Sequence, residues 1–167
     1  MPFDRLIGAV DDWAAKSRRH DVFAQVGEGG AEPAHLAYRQ LLTPDEFEEK
    51  VAAADLLIAH AGMGSILTAL RAGKPILVMP RLGDLRETRN DHQVATARRL
   101  GAMGKVAVAM DTEELLAKLD RLDELTAAEA IGRYASAELL EEVGRFVRGD
   151  RPRDCGRHRG RNGEDDA

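Results

Sequence analysis

Three short runs, LLIAH (56–60), PILVM (75–79) and KVAVA (105–109), are apolar at almost every position and do not alternate with polar residues. Each is flanked by stretches with helical spacing. A strand that is apolar throughout is covered on both faces, and strands separated by helices run parallel, so the chain is read as an α/β domain. The expected architecture is a Rossmann-like parallel sheet with helices on both faces. Such sheets bind ligands beyond the carboxyl ends of their strands. With 167 residues and 44% apolar content, one domain with a real core is expected. Aromatic residues supply only 4%, so Ala, Leu, Ile and Val must do the packing.

The rest of the chain fits that pattern. Phe3, Leu6, Ile7, Val10, Trp13 and Ala14 share one face of a helix predicted over 3–19. DVFAQVG (21–27) and the weaker HLAYR (35–39) read as strands around a Gly-rich break. Thr43, Pro44 and Glu46 predict a helix start with a capping box, and that helix runs to about Ala54. Helices are also predicted over 64–72, closed by Gly73, over 91–100, and over 111–120 with Asp111 as cap. Thr126 and Glu129 form a second capping box for a helix over 127–147. The domain is therefore expected to span 1–147. Residues 148–167 form a tail expected to be disordered: Arg145 to Arg161 holds seven Arg against two Asp and almost nothing apolar. That tail is either a plain solvated terminus or a contact for anionic lipid head groups.

Charge and composition narrow the function. A net charge of −5 argues against a nucleic-acid binder. No apolar run approaches a membrane span, and a signal peptide's apolar region is not seen at the N-terminus. The single Cys155 cannot make an internal disulfide, which fits a cytoplasmic setting.

Two constellations fall at strand ends. His60-Ala61-Gly62-Met63-Gly64-Ser65 takes the chain from strand to helix. Its glycines let backbone approach a ligand, its helix N-terminus offers free N–H groups, and His60 and Ser65 are aimed at the same space, which suits a phosphate or diphosphate. The same glycines could merely permit a tight turn with Ser65 as cap. A dinucleotide fingerprint fails because Leu67 stands where the third small residue belongs. A Walker loop fails because GKP (73–75) lacks the spacing and the Ser/Thr, and a hydrolase elbow fails because Ser65 lacks the Gly-x-Ser-x-Gly frame. Asn90-Asp91-His92-Gln93 opens the next helix. These residues could be helix caps, Asp91 above all. Alternatively His92 and Gln93 can bond neighbouring sugar hydroxyls, since Gln carries both a donor and an acceptor. His60, Asp91 and His92 lack metal-ligand spacing, and no metal is expected.

Taken together, HAGMGSILTALRAGKPILVMPR and ETRNDHQVATARRL resemble the C-terminal, donor-binding half of family 28 glycosyltransferases, one half of a GT-B fold. The chain looks most like the family's small split enzymes, among them the catalytic subunit of the dolichol-pathway UDP-GlcNAc transferase and bacterial exopolysaccharide subunits. PFDRLIGAV and TPDEFEEKVAAADLLIAHAG match that group too, so the similarity covers roughly residues 2–120. The resemblance implies that His60, Gly62, Gly64 and Ser65 hold the donor diphosphate, and that His92 and Gln93 meet the transferred sugar. Arg81, Asp91 and Thr68 are further candidates near the donor. It implies a hexosyltransferase that inverts at the anomeric carbon, uses a UDP-sugar as substrate and needs no cofactor. The implied acceptor is lipid-linked. A membrane-anchored partner subunit would supply the acceptor site and hold the chain at the cytoplasmic membrane face. The general base is not identified and is expected from that partner.

Two departures qualify the resemblance. Many members carry Glu where this chain has Thr68. Relatives also open with a strand ahead of the Phe-Asp-Arg-Leu helix, whereas this sequence begins Met1-Pro2-Phe3. That strand would lie centrally, between DVFAQVG and LLIAH. A start codon assigned too late, a truncated gene, or a sheet in which those two strands pair directly would each account for it. The expectation is that restoring upstream residues improves folding and activity. A competing function is a degenerate, non-catalytic module that binds the UDP-sugar or the partner without turnover.

Overall fold

The computed structural model describes residues 1–128 and 130. In chain order the elements are α1 (Asp4–Lys16), β1 (Phe23–Gln25), β2 (Ala37–Arg39), α2 (Pro44–Ala53), β3 (Leu57–His60), α3 (Met63–Ala72), β4 (Ile76–Met79), α4 (His92–Ala102), β5 (Ala107–Val108) and α5 (Thr112–Leu119), then a 3-10 turn at Leu122–Glu124. Thr126 to Ala128 are not helical. The rest of the predicted 127–147 helix, the Glu129 half of its capping box and the 148–167 tail lie outside the described residues.

Local chemistry sets most of the boundaries. Thr43 accepts from the Glu46 N–H while Glu46 accepts from the Thr43 N–H, so the predicted capping box closes the start of α2. Asp111 accepts from the Glu114 N–H at 2.9 Å and caps α5. Gly73, at φ 63°, turns the chain out of α3 in a left-handed conformation that a side chain would strain. Lys74 then reaches back to donate to the Ala52 carbonyl at 2.9 Å, satisfying an orphan acceptor at the end of α2. Helix α1 stops sooner than its apolar spacing predicts, because Ser17 caps it and Arg18 turns left-handed at φ 53°.

All strand pairs are parallel, and helices cover both faces of the larger sheet. β3, β4 and β5 pair in that order, with His60 opposite Met79 in register. β4 lies at the centre and divides its side chains. Leu77 and Met79 enter a core with α1, β1 and α5, whereas Ile76 and Val78 enter a second with α3 and α4. This two-sided burial is why PILVM carries no alternation. Each such side chain contributes about 1.5–3 kcal/mol on burial.

The remaining strands form a separate sheet in which, among the described residues, β1 pairs only with β2. Direct pairing of DVFAQVG with LLIAH, one of the three arrangements expected from the sequence, does not occur. Without a second neighbour, β3 departs from the predicted fully buried strand: all four of its residues are half-buried, while those of β4 are all buried. What holds the smaller sheet is α1. Its Asp11 carboxylate accepts from the N–H groups of Ala34, His35 and Leu36 at 2.8–2.9 Å, and Asp4, two turns earlier, accepts from the Ala31 N–H at 3.0 Å. Residues i and i+7 share a helix face, so one side of α1 grips the whole approach to β2.

Candidate functional site

The turn after β3 is built around the His60 ring. The Gly62 N–H folds back to the His60 carbonyl at 2.8 Å, and a Cβ on Gly62 would stand 2.1 Å from His60 Cε1. Gly62 is therefore glycine because the imidazole occupies the space a side chain would need. Gly64 is different, since a Cβ there would meet nothing within 4 Å. Its bare backbone opens outward, where a ligand could come close.

Helix α3 starts at Met63, one residue earlier than predicted, with Gly62 as N-cap and no side chain bonded to its first turn. Ser65 is inside the helix and is not its cap. The first intrahelical bond runs from the Ile66 N–H to the Gly62 carbonyl at 3.2 Å. The N–H groups of Met63, Gly64 and Ser65 thus have no helical partner and carry the positive end of the helix dipole. Thr68 turns inward along the helix instead, donating its hydroxyl to the Gly64 carbonyl at 2.9 Å.

The second constellation arrives from the far end of the loop between β4 and α4. Gln93 is 95% buried, being 5% exposed, and its Oε1 accepts from the Arg81 N–H at 3.2 Å. Its side chain also lies against His60. The two sequence constellations therefore converge at the carboxyl ends of neighbouring strands. Burial, first, and then the nearby Arg81 charge hold His60 below the ordinary histidine range, with Gln93 opposing them. Arg81 has a buried Nε without a partner, and its guanidinium lies 5.2 Å from the centre of the Phe3 ring.

His92 and Asp91 are not placed like Gln93. His92 is exposed at the start of α4, its Nδ1 against Asn90 Oδ1. Asp91 occupies the N-cap position by backbone, yet its carboxylate does not cap the helix. It accepts from the Gly83 N–H at 2.9 Å and so ties the two ends of the loop together.

Sequence reading missed the pair that holds this loop. Arg5 donates to both Glu87 carboxylate oxygens at 2.7 and 2.8 Å and to the Pro80 carbonyl at 3.0 Å. Glu87 accepts in turn from the Leu82 N–H at 2.9 Å. Burial raises the Glu87 carboxyl, but Arg5 and the Leu82 N–H outweigh it and leave the group below its ordinary range. The signal was weak: one Arg on an amphipathic helix and one Glu in a polar loop, 82 residues apart. Replacing Glu87 with Ala leaves the Arg5 charge and the Leu82 N–H unpaired. Urea unfolding should report a loss of about 2 kcal/mol at neutral pH. Because the folded carboxyl is the stronger acid, that difference should shrink as pH falls through its folded value.

Among known proteins, the match to the glycosyltransferase family 28 C-terminal domain covers residues 2–138. A UDP-N-acetylglucosamine transferase subunit, ALG13, of Eremothecium gossypii is 40% identical over 93 residues, which are 54% of this chain and 44% of that protein. The ALG13 subunit of Cryptococcus neoformans is 45% identical over 74 residues, 42% of this chain and 35% of that one. The human ALG13 subunit is 38% identical over 60 residues, 36% of this chain and 5% of its own length. The chain thus spans less than half the length of these curated relatives. Among solved structures, the glycosyltransferase of kitacinnamycin superposes with a TM-score of 0.52 at 19% identity, covering 84% of this chain and 33% of that one. This likeness concerns the fold: the parallel sheet and its helices are those of a GT-B half-domain. By its sequence the chain belongs to the glycosyltransferase family 28 C-terminal domain family.

Proposed function

We propose that this chain is the catalytic, donor-binding subunit of a two-component glycosyltransferase. It moves a hexose, of the N-acetylglucosamine or uronic acid kind, from a UDP-sugar to a lipid-linked acceptor in polysaccharide or glycan synthesis. The observation that carries this reading is the meeting of Gln93, the Arg81 N–H and His60 beside the uncapped start of α3. The N–H groups of Met63, Gly64 and Ser65 receive the diphosphate and stabilise charge as UDP departs, an electrostatic role that needs no metal. His60 and Ser65 add side-chain contacts. His92 and Gln93 face the sugar, with Arg81 and Asp91 shaping the loop around it. Inversion at the anomeric carbon follows the family pattern.

The acceptor site belongs to a membrane-anchored partner subunit, which keeps the chain at the cytoplasmic membrane face. None of the described helices is long and apolar enough to cross a membrane. The ALG13 relatives are themselves named as transferase subunits.

Amide NMR with added UDP tests the donor site. Shifts should concentrate on Met63, Gly64, Ser65 and His60, and UDP settling elsewhere would remove the reading. A radiolabelled transfer assay with the partner present then separates enzyme from binding module. One observation favours the module: the Thr68 hydroxyl proton is donated within α3 to the Gly64 carbonyl. UDP binding without transfer would decide for it.

A further inference from the structure

The His60 imidazole lies beside the positive charge of Arg81. Its Nδ1 is buried without a hydrogen-bond partner, and the ring is wedged where a Gly62 side chain would be. From the end of β4 it faces Arg81, and from the start of α4 His92 and the neutral Gln93 amide. Helix α3 adds the N–H groups of its first turn. Of the three carboxylates in the adjoining loop, Asp84 is exposed and the other two are engaged elsewhere. Glu87 is held by Arg5 and the Leu82 N–H, and Asp91 by the Gly83 N–H. Among the described residues, nothing anionic offsets these charges at the ring, and an imidazolium here would be one more cation in a partly dry corner.

We propose that His60 couples donor binding to protonation: uncharged in the empty site, it takes up one proton when a nucleotide diphosphate settles at the start of α3. The inference rests on the reading of that turn as the diphosphate site. The proton comes from solvent and adds to the ring nitrogen that is bare in the neutral form, so no other bond breaks. The imidazolium then donates to a phosphate oxygen. An opposite charge within about 4–6 Å moves a titrating group by about one to three pH units, which raises His60 back toward neutrality. Binding should accordingly weaken as pH rises, by up to about tenfold per pH unit between the free-state and bound-state values.

The test uses the full chain and UDP-N-acetylglucosamine, whose diphosphate diester keeps its charge through the neutral range. Calorimetry at several pH values between about 6 and 7.5, in buffers of small and large ionisation heat, should report net proton uptake on ligand binding. His60→Asn should abolish the uptake. In the wild-type chain, the His60 ring signal in carbon-detected NMR should move from its neutral to its charged position as ligand is added, a readout that needs no variant. Binding with equal heats in both buffers and an unmoved ring signal would overturn the coupling and leave the donor site standing. Uptake that survives in His60→Asn would overturn it as well. A folded chain that binds neither UDP-N-acetylglucosamine nor UDP would overturn the donor-site reading, and the coupling with it.

Discussion

Gly62→Ala should weaken UDP binding by about 5- to 150-fold while leaving the backbone able to adopt its native angles. Gly62 sits at φ −89°, ψ 137°, a conformation open to any residue, so the added methyl meets no backbone objection. It meets the imidazole instead. The new Cβ would lie 2.1 Å from His60 Cε1 and 2.6 Å from Nδ1, so the ring must leave its place. Forcing one extra methyl into a packed site costs about 1–3 kcal/mol, and that sum, if lost from binding, is the range given. A double-mutant cycle isolates the cause. In a His60→Ala background the space is vacated, and Gly62→Ala should then change stability and UDP affinity by less than about 0.5 kcal/mol. An equal penalty in both backgrounds would show that Gly62 is small for some other reason.

Asp11→Ala should cost about 3 kcal/mol of folding stability, a large effect for a carboxylate outside the candidate site. Asp11 is 6% exposed and accepts from three consecutive backbone N–H groups. Removing it strands those donors, one of them fully buried, and each hydrogen bond to a charged acceptor is worth about 1.5–3 kcal/mol before the loop relaxes. Asp11→Asn, whose single carbonyl oxygen can replace only part of the set, should lose about half as much. Burial raises the Asp11 carboxyl, yet the Ala34, His35 and Leu36 N–H groups together prevail and hold it below the ordinary carboxylate range. The sign follows: a folded carboxyl that is the stronger acid stabilises above the unfolded value, and the benefit disappears as pH falls through the folded value. Urea melts of wild type and Asp11→Asn should therefore converge toward the acid end. A gap that persists unchanged at low pH would mean that the carboxylate charge is not what holds the loop. Hydrogen exchange adds a spatial check, because protection should fall first at Ala34–Leu36 and in β2, which among the described residues pairs with β1 alone.

Much of the fold was legible because it rests on short-range rules. The Thr43–Glu46 capping box, the Asp111 cap and the Gly73 stop each depend on residues within one turn, and each stands where the spacing put it. PILVM read as a strand covered on both faces, and all four residues of β4 are buried. The flanking strands were over-read. DVFAQVG yields three strand residues and KVAVA two, since a strand's length is set by how much of a neighbour it can reach. In the candidate site, Gly62 and Gly64 looked alike in sequence, yet one makes room for a histidine and the other faces open space. Asp91 had the composition of a cap and instead spans the loop to Gly83.

The sequence alone determined the α/β class, the order of the elements, and the delivery of His60 and Gln93 to adjacent strand ends. Periodicity and capping are local and survive reading along a line. Only the tertiary structure decided that the strands divide into two sheets, that Gln93 is buried against His60, that Asp11 anchors the smaller sheet and that Arg5 latches Glu87. Each of these pairs groups distant in the chain. Their partners are chosen by which polar atoms would otherwise be buried unsatisfied, a condition that exists only once the chain has packed.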